Sequence, residues 1–188
     1  MRLKNRGFML MLLGVVLLLS VGEIRAAEFS ADVVTVFEGK ESRGKVYVKG
    51  NRMRQEFPSA SGTPNILIYN SDTRVVWMLR PQQKMYLEMP LTEEMVRDLM
   101  QAAKDRTGMK PLGSETVNGY PADIYETVFR TNGGEQRHYI WIAKKLGMII
   151  KIESLDKSFS RDYRDIKEGG VPEAVLNPPA GYRKMSLP

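Results

Sequence analysis

Val75-Val76-Trp77-Met78-Leu79-Arg80-Pro81-Gln82-Gln83-Lys84-Met85-Tyr86-Leu87-Glu88-Met89-Pro90 holds two apolar runs about a basic, proline-containing turn. This pattern is a β-hairpin. Pro90 ends it, because proline has no N–H for the ladder. Beyond Pro90 the period changes. Leu91, Met95, Val96, Leu99, Met100 and Ala103 recur at helical spacing. Residues 91–106 are therefore predicted to form an amphipathic helix. Glu93 and Glu94 fall in its first turn and Lys104 and Arg106 in its last, as the helix dipole favours, and Gly108 is the stop. A hairpin thus delivers one methionine-rich helix onto a sheet.

The sequence on either side reads as that sheet. Short Val-, Ile-, Thr- and Tyr-rich runs are separated by turn residues: Glu38-Gly39, Gly50-Asn51, Asn70-Ser71-Asp72, Asn118-Gly119, Asn132-Gly133-Gly134 and Lys144-Lys145-Leu146-Gly147. Strands joined by such short turns make an antiparallel meander. Residues 158–166, dense in alternating charge, read as a last, polar strand with a solvated edge. Residues 172–176 allow a single helical turn, and Pro178-Pro179-Ala180-Gly181-Tyr182 reads as a surface tail. Many runs are apolar on both faces: Val75, Trp77 and Leu79 oppose Val76 and Met78. Both faces then need cover, and one helix is too small to cover a whole sheet. The expected fold is mainly β: a curved antiparallel half-barrel of about nine to eleven strands with one main amphipathic helix on its concave face.

Arg2, Lys4 and Arg6 precede an apolar run over residues 8–21, and Ala26-Ala27 follow. This is the pattern of a secretory signal peptide over residues 1–26. The apolar run is shorter than the ~20 residues of a spanning helix. The expected domain is residues 27–188, exported and periplasmic. The net charge is +6, of which the leader supplies +3. The remaining mild excess argues for solubility and against a nucleic-acid surface.

Catalytic and metal chemistry is not visible. With no cysteine, the chain has neither a thiol nucleophile nor a thiolate site. Its one histidine, His138, has no cluster of carboxylates beside it for zinc and no nucleophile-elbow pattern to serve. No enzyme activity, cofactor or metal is expected. Nine methionines remain beyond the leader. Without a close Met-x-Met pair or a helping histidine they fit ordinary core filling, or the lining of a site for variable apolar ligands, better than copper binding.

The blocks Gly44-Lys45-Val46-Tyr47-Val48-Lys49-Gly50-Asn51-Arg52-Met53-Arg54, Val76-Trp77-Met78, Gln83-Lys84-Met85-Tyr86, Asn118-Gly119-Tyr120-Pro121, Trp141-Ile142-Ala143-Lys144-Lys145-Leu146-Gly147-Met148 and Pro179-Ala180-Gly181-Tyr182 cover most of the chain beyond the leader. In this order they resemble a family of exported bacterial proteins of unknown function. That family is similar to the superfamily of the outer-membrane lipoprotein carrier LolA, its acceptor LolB and the RseB-type domains. The resemblance implies a half-barrel whose hollow holds acyl chains. The sequence departs from the carrier in having one clear long helix, and no motif places the carrier's lid-latching arginine, so no functional residue is carried over.

The expected function is a periplasmic lipid- or lipoprotein-binding protein; the alternative is an envelope sensor or protein-interaction module without lipid. Expected partners are an acyl chain and envelope proteins, with transient membrane-surface contact and no nucleic acid. The expected acyl-chain lining is Trp77, Met85, Leu87, Trp141, Met148 and Ile150, with Met95, Leu99 and Met100 of the helix stripe. Arg80, Lys84, Lys144 and Lys145 stand at the rim turns, where cations meet either solvent or an anionic head group.

Overall fold

The computed structural model describes residues 27–58, 62–92, 108–131 and 134–185. The expected leader, residues 1–26, and residues 93–107, which hold most of the predicted helix, lie outside these residues. Twelve strands form one sheet. They are β1 (Glu28–Phe37), β2 (Lys40–Lys49), β3 (Arg52–Phe57), β4 (Asn65–Asn70), β5 (Val75–Arg80), β6 (Met85–Pro90), β7 (Lys110–Val117), β8 (Tyr120–Thr131), β9 (Gly134–Ala143), β10 (Met148–Ser154), β11 (Phe159–Glu168) and β12 (Arg183–Lys184). The spatial order is β12-β6-β5-β4-β3-β2-β1-β11-β10-β9-β8-β7.

Local chemistry sets the hairpins. Glu38 and Gly39, at φ 49° and 76°, join β1 to β2, and Asn118 and Gly119, at 50° and 84°, join β7 to β8. Positive φ at both central residues matches the twist of the flanking strands. The hairpin that decides the fold forms as read, with Trp77 opposite Glu88 and Met78 opposite Leu87.

Four expectations change. The count of nine to eleven strands becomes twelve, because Arg183–Lys184 pairs in parallel with Met85–Tyr86. The end of the chain is therefore docked rather than a free surface tail. The sheet is also more than a meander: the first strand, β1, pairs with β11, joining two runs of hairpins at the centre. Finally, the polar strand β11 lies between β1 and β10, away from either edge. Two of its charges neutralise each other, which helps a central strand carry them. Arg164 pairs with Asp162 at 3.1 Å, and Asn118 donates to Asp162 at 2.6 Å and to the Tyr163 carbonyl at 2.8 Å.

Those Asn118 contacts also show the curvature. The β7–β8 turn touches β11, although β9 and β10 stand between β8 and β11 in the sheet. In a flat sheet the gap is about 14 Å at ~4.8 Å per strand. The sheet curls, and the Tyr120 hydroxyl and Lys145 reach Glu168 at 3.0 and 2.7 Å.

Residues directly opposed in an antiparallel ladder share a face. Phe29, Val48, Met53, Tyr69, Val76 and Met89 form one such row from β1 to β6. All but half-buried Met89 are buried. The row is continuous in one apolar cluster with Ala122, Trp141, Ala143 and Ile150 of the second half. The two halves thus close on a shared interior. Each fully buried side chain there contributes about 1.5–3 kcal/mol.

The opposite face of β4 to β6 carries Ile66, Ile68, Trp77, Leu79 and Tyr86. The C-terminal segment reaches across to this side. Its 3-10 turn (Glu173–Leu176) buries Leu176 completely, and Arg54 donates to the Val175 carbonyl at 3.2 Å. Glu173 pairs with Arg52 at 2.6 Å and Lys49 at 3.3 Å. Tyr182 packs on the Ile66, Ile68 and Leu79 cluster. Lys184 then pairs with Glu88 at 2.7 Å, and Glu88 also accepts the Trp77 indole N–H at 3.0 Å. This strap supplies cover that a two-faced sheet requires.

Candidate functional site

β2 and β3 fork. Their register runs from Lys49 opposite Arg52 to Lys45 opposite Glu56. β3 then ends at Phe57, and Pro58 cannot continue the ladder. β2 runs on to Lys40, held only by β1 on this stretch. At the fork the chains approach so closely that a Cβ on Gly44 would lie 2.1 Å from the Glu56 carbonyl oxygen. Glycine is therefore a steric requirement here.

The fork leaves two hollows. One, of about 310 Å³, is bordered by Asp32, Arg43, Lys45, Arg164 and Asp165. Its charges are largely paired, Lys45 with Asp32 and Arg164 with Asp162. The other, of about 220 Å³, has a different lining. Val33, Phe57 and Pro58 supply apolar walls, Gln55 and Tyr163 supply buried polar groups, and Arg161 supplies a cation. Val34, Phe57, Pro58 and Pro64 give the larger hollow apolar walls too, but we take the smaller one as the candidate site, because its polar groups Gln55 and Tyr163 are buried.

β11 places Phe159, Arg161 and Tyr163 on one face by its period of two. The Arg161 guanidinium lies over the rings of Phe57 and Phe159, 5.7 and 5.9 Å from their centroids. Its Nε donates to Thr35 Oγ1 at 3.4 Å. Among the described residues it pairs with no carboxylate. Burial raises the Tyr163 and Tyr69 phenols above their ordinary pKa, and the charge of Arg161 opposes the rise in both. Both phenols stay protonated at neutral pH. The site can hold an apolar chain and present a cation and neutral hydrogen-bonding groups beside it. Its described lining residues include no histidine. Among the described residues no cluster of three or more histidines and carboxylates is arranged for a metal.

The expected lining residues fall elsewhere. Met95, Leu99 and Met100 lie outside the described residues. Trp141 and Ile150 are buried in the shared interior, with Met148 packed against them. Leu87 shares a face with Met78, while Trp77 points to the opposite face, under the strap. Met85 stands at the start of β6, opposite Arg80 and beside Arg183 of the strap. None of these six described residues borders the 220 Å³ hollow. Of the rim cations, Lys144 pairs with Asp123 at 3.0 Å and Lys145 with Glu168 at 2.7 Å. Reading the charged strand as a solvated edge hid Arg161. The usable signal was parity: Phe159, Arg161 and Tyr163 place one cation between two aromatics on a single face.

A family of domains of unknown function, DUF4412, matches residues 30–164. The chain belongs to DUF4412. The matched span of this DUF4412 protein includes the fork and Arg161 and stops short of the strap. A search of curated proteins found no match. Among solved structures, an uncharacterized conserved protein from Thermus thermophilus is similar, at 16% identity and a TM-score of 0.58, over 86% of this chain and 91% of that one. A chain of the MucA/MucB complex of Pseudomonas aeruginosa aligns at 14% identity and a TM-score of 0.53, over 82% of this chain and 56% of that one. PNGF-II aligns at 10% identity and a TM-score of 0.56, over 85% of this chain and 31% of that one. At these identities the likeness is one of fold. It agrees with the curved, mainly antiparallel sheet expected from the sequence. Among the described residues no helix is long and apolar enough to cross a membrane.

Proposed function

We propose that this DUF4412 protein is a periplasmic binding protein, without catalytic activity, whose hollow takes the acyl chain of a lipid or lipoprotein. The observation that carries the reading is the 220 Å³ hollow walled by Val33, Phe57 and Pro58 at the fork of β2 and β3. Each buried methylene contributes about 0.8 kcal/mol, so about eight give about 6 kcal/mol. That corresponds to an affinity between about 1 mM and 1 μM, before the cost of immobilising the chain. The hollow is smaller than the ~300–1,000 Å³ of a drug-sized ligand's pocket. It therefore suits part of one chain.

A second reading is a protein-interaction module of the envelope. β7 is exposed along nearly its whole length and, among the described residues, is an edge of the sheet, available for strand addition by a partner. The fold likeness to a chain of the MucA/MucB complex supports this reading equally. Native mass spectrometry of protein purified from a bacterial periplasm, followed by solvent extraction, separates the two. The acyl-chain reading expects a co-purified lipid whose release restores the mass of the bare chain. A bare chain that also takes up no added fatty acid would leave the interaction reading.

A further inference from the structure

Arg161 is costly where it stands. A guanidinium set among Phe57, Phe159 and the buried Tyr163 is partly stripped of water. Its partners are two ring faces and one neutral hydroxyl at 3.4 Å. Several other cations of the sheet are paired on the spot: Arg54 with Glu56 at 2.8 Å, Arg52 with Glu173 and Lys184 with Glu88. Among the described residues this charge has no counterpart, and it borders the same hollow as the apolar walls. A planar guanidinium recognises carboxylate or phosphate oxygens through paired N–H groups.

We propose that Arg161 is the anchor for the anionic head of a single-chain amphiphile, its carboxylate or phosphate meeting the guanidinium while the chain lies along Val33, Phe57 and Pro58. The proposal rests on the acyl-chain reading above and gives it a ligand class. The neutral Tyr163 hydroxyl, buried at the same hollow, can donate to a remaining head-group oxygen, while Gln55 donates to the Met53 Sδ at 3.3 Å. Glu56, the one acidic residue bordering the hollow among the described residues, is neutralised by Arg54 at 2.8 Å. Neutral chains and cationic chains of equal length lack the counter-charge and bind more weakly.

The test is isothermal titration of the mature protein, below the critical micelle concentration, with dodecanoate, dodecyl phosphate, dodecanol and inorganic phosphate. The expected result is that both anionic chains bind about tenfold or more tighter than dodecanol. Arg161→Gln removes that preference and leaves dodecanol binding unchanged, while Arg161→Lys keeps part of it. Lys144→Gln and Lys145→Gln change nothing. Equal affinity of the wild type for dodecanoate and dodecanol overturns the anchor and leaves the acyl-chain reading standing. Loss of all chains together in Arg161→Gln also overturns it, since the residue is then structural. Inorganic phosphate binding as tightly as dodecyl phosphate assigns the site to free anions and overturns the amphiphile. No binding of any chain to the wild type ends the acyl-chain reading itself. Should Arg161→Gln fail to fold, the wild-type preference and its partial survival in Arg161→Lys decide.

Discussion

Replacing Gly44 by alanine tests the fork directly. The added Cβ would lie 2.1 Å from the Glu56 carbonyl oxygen, 3.2 Å from its carbon and 3.7 Å from the Phe57 Cα. An ordinary non-bonded separation is about 3.5 Å, so the two strands must part by about 1 Å or more. Every atom met is backbone, and no side chain can rotate away. Overpacking of this kind costs about 1–3 kcal/mol. A strained or lost ladder hydrogen bond beside Lys45 and Glu56 adds about 1 kcal/mol. At about 2–4 °C per kcal/mol for a chain of this size, the melting temperature should fall by about 5–15 °C in differential scanning calorimetry. Gly39→Ala is the control. Gly39 has φ 76° and open space around its Cβ position, so the change costs backbone strain alone, about 1–2 kcal/mol. The fork also walls the hollow, so Gly44→Ala should weaken dodecanoate binding while Gly39→Ala leaves it intact. A Gly44→Ala protein that melts no lower than Gly39→Ala would refute the close approach and, with it, the geometry of the site.

Three further outcomes follow from the strap and the leader. Leu176→Ala removes a fully buried side chain and should cost about 2–5 kcal/mol in urea denaturation; an unchanged midpoint would mean that the strap is not docked. Glu88 is held below its ordinary carboxylate pKa by its bonds to Lys184 and Trp77, and Glu173 by its bonds to Arg52 and Lys49. A lowered folded-state pKa contributes stability that is complete above the unfolded value of 4.5 and lost as pH falls through the folded one. Hydrogen exchange in residues 172–185 should therefore accelerate below a pH of about 4.5 before the rest of the sheet opens, and exchange independent of pH after correction for the intrinsic rate would contradict this. Intact-mass measurement after export in a bacterium should show a chain beginning at Ala27, and a retained leader would contradict the signal-peptide reading.

The hairpins were legible because their determinants are local. Asn118-Gly119 and Glu38-Gly39 take the positive φ that their turns need. The 75–90 hairpin formed in the register that its alternation demands. Strand partners distant in sequence were not legible. Nothing in residues 158–166 announces a central position, since charge reads as exposure unless its local partners are known. Asp162 and Arg164 neutralise each other two positions apart, so the strand carries polar residues into the middle of the sheet. The strap was missed for a related reason. Pro178-Pro179 forbids regular structure locally, yet a short parallel pairing and a buried Leu176 dock the segment through contacts made far along the chain. The site fell between these cases. Apolar parity pointed to Trp77 and Trp141, which serve the core, while the hollow arises from where β3 stops and β2 does not.

The pairing of β1 with β11 has a consequence for how the chain acquires its fold. A polypeptide emerges from its N-terminus, so Glu28–Phe37 is the first strand available, yet one of its two neighbours is the second-last strand made. Val33 meets Tyr163 only after some 130 intervening residues have appeared, and closing so long a loop makes the encounter slow. Until then β1 to β6 can stand only as a half-sheet with β1 as a bare edge, apolar through Val33, Val34 and Val36 and open to pairing with other chains. Assembly of the seam between the two halves is therefore the step at which a holding chaperone or a crowded compartment decides between the native sheet and aggregation.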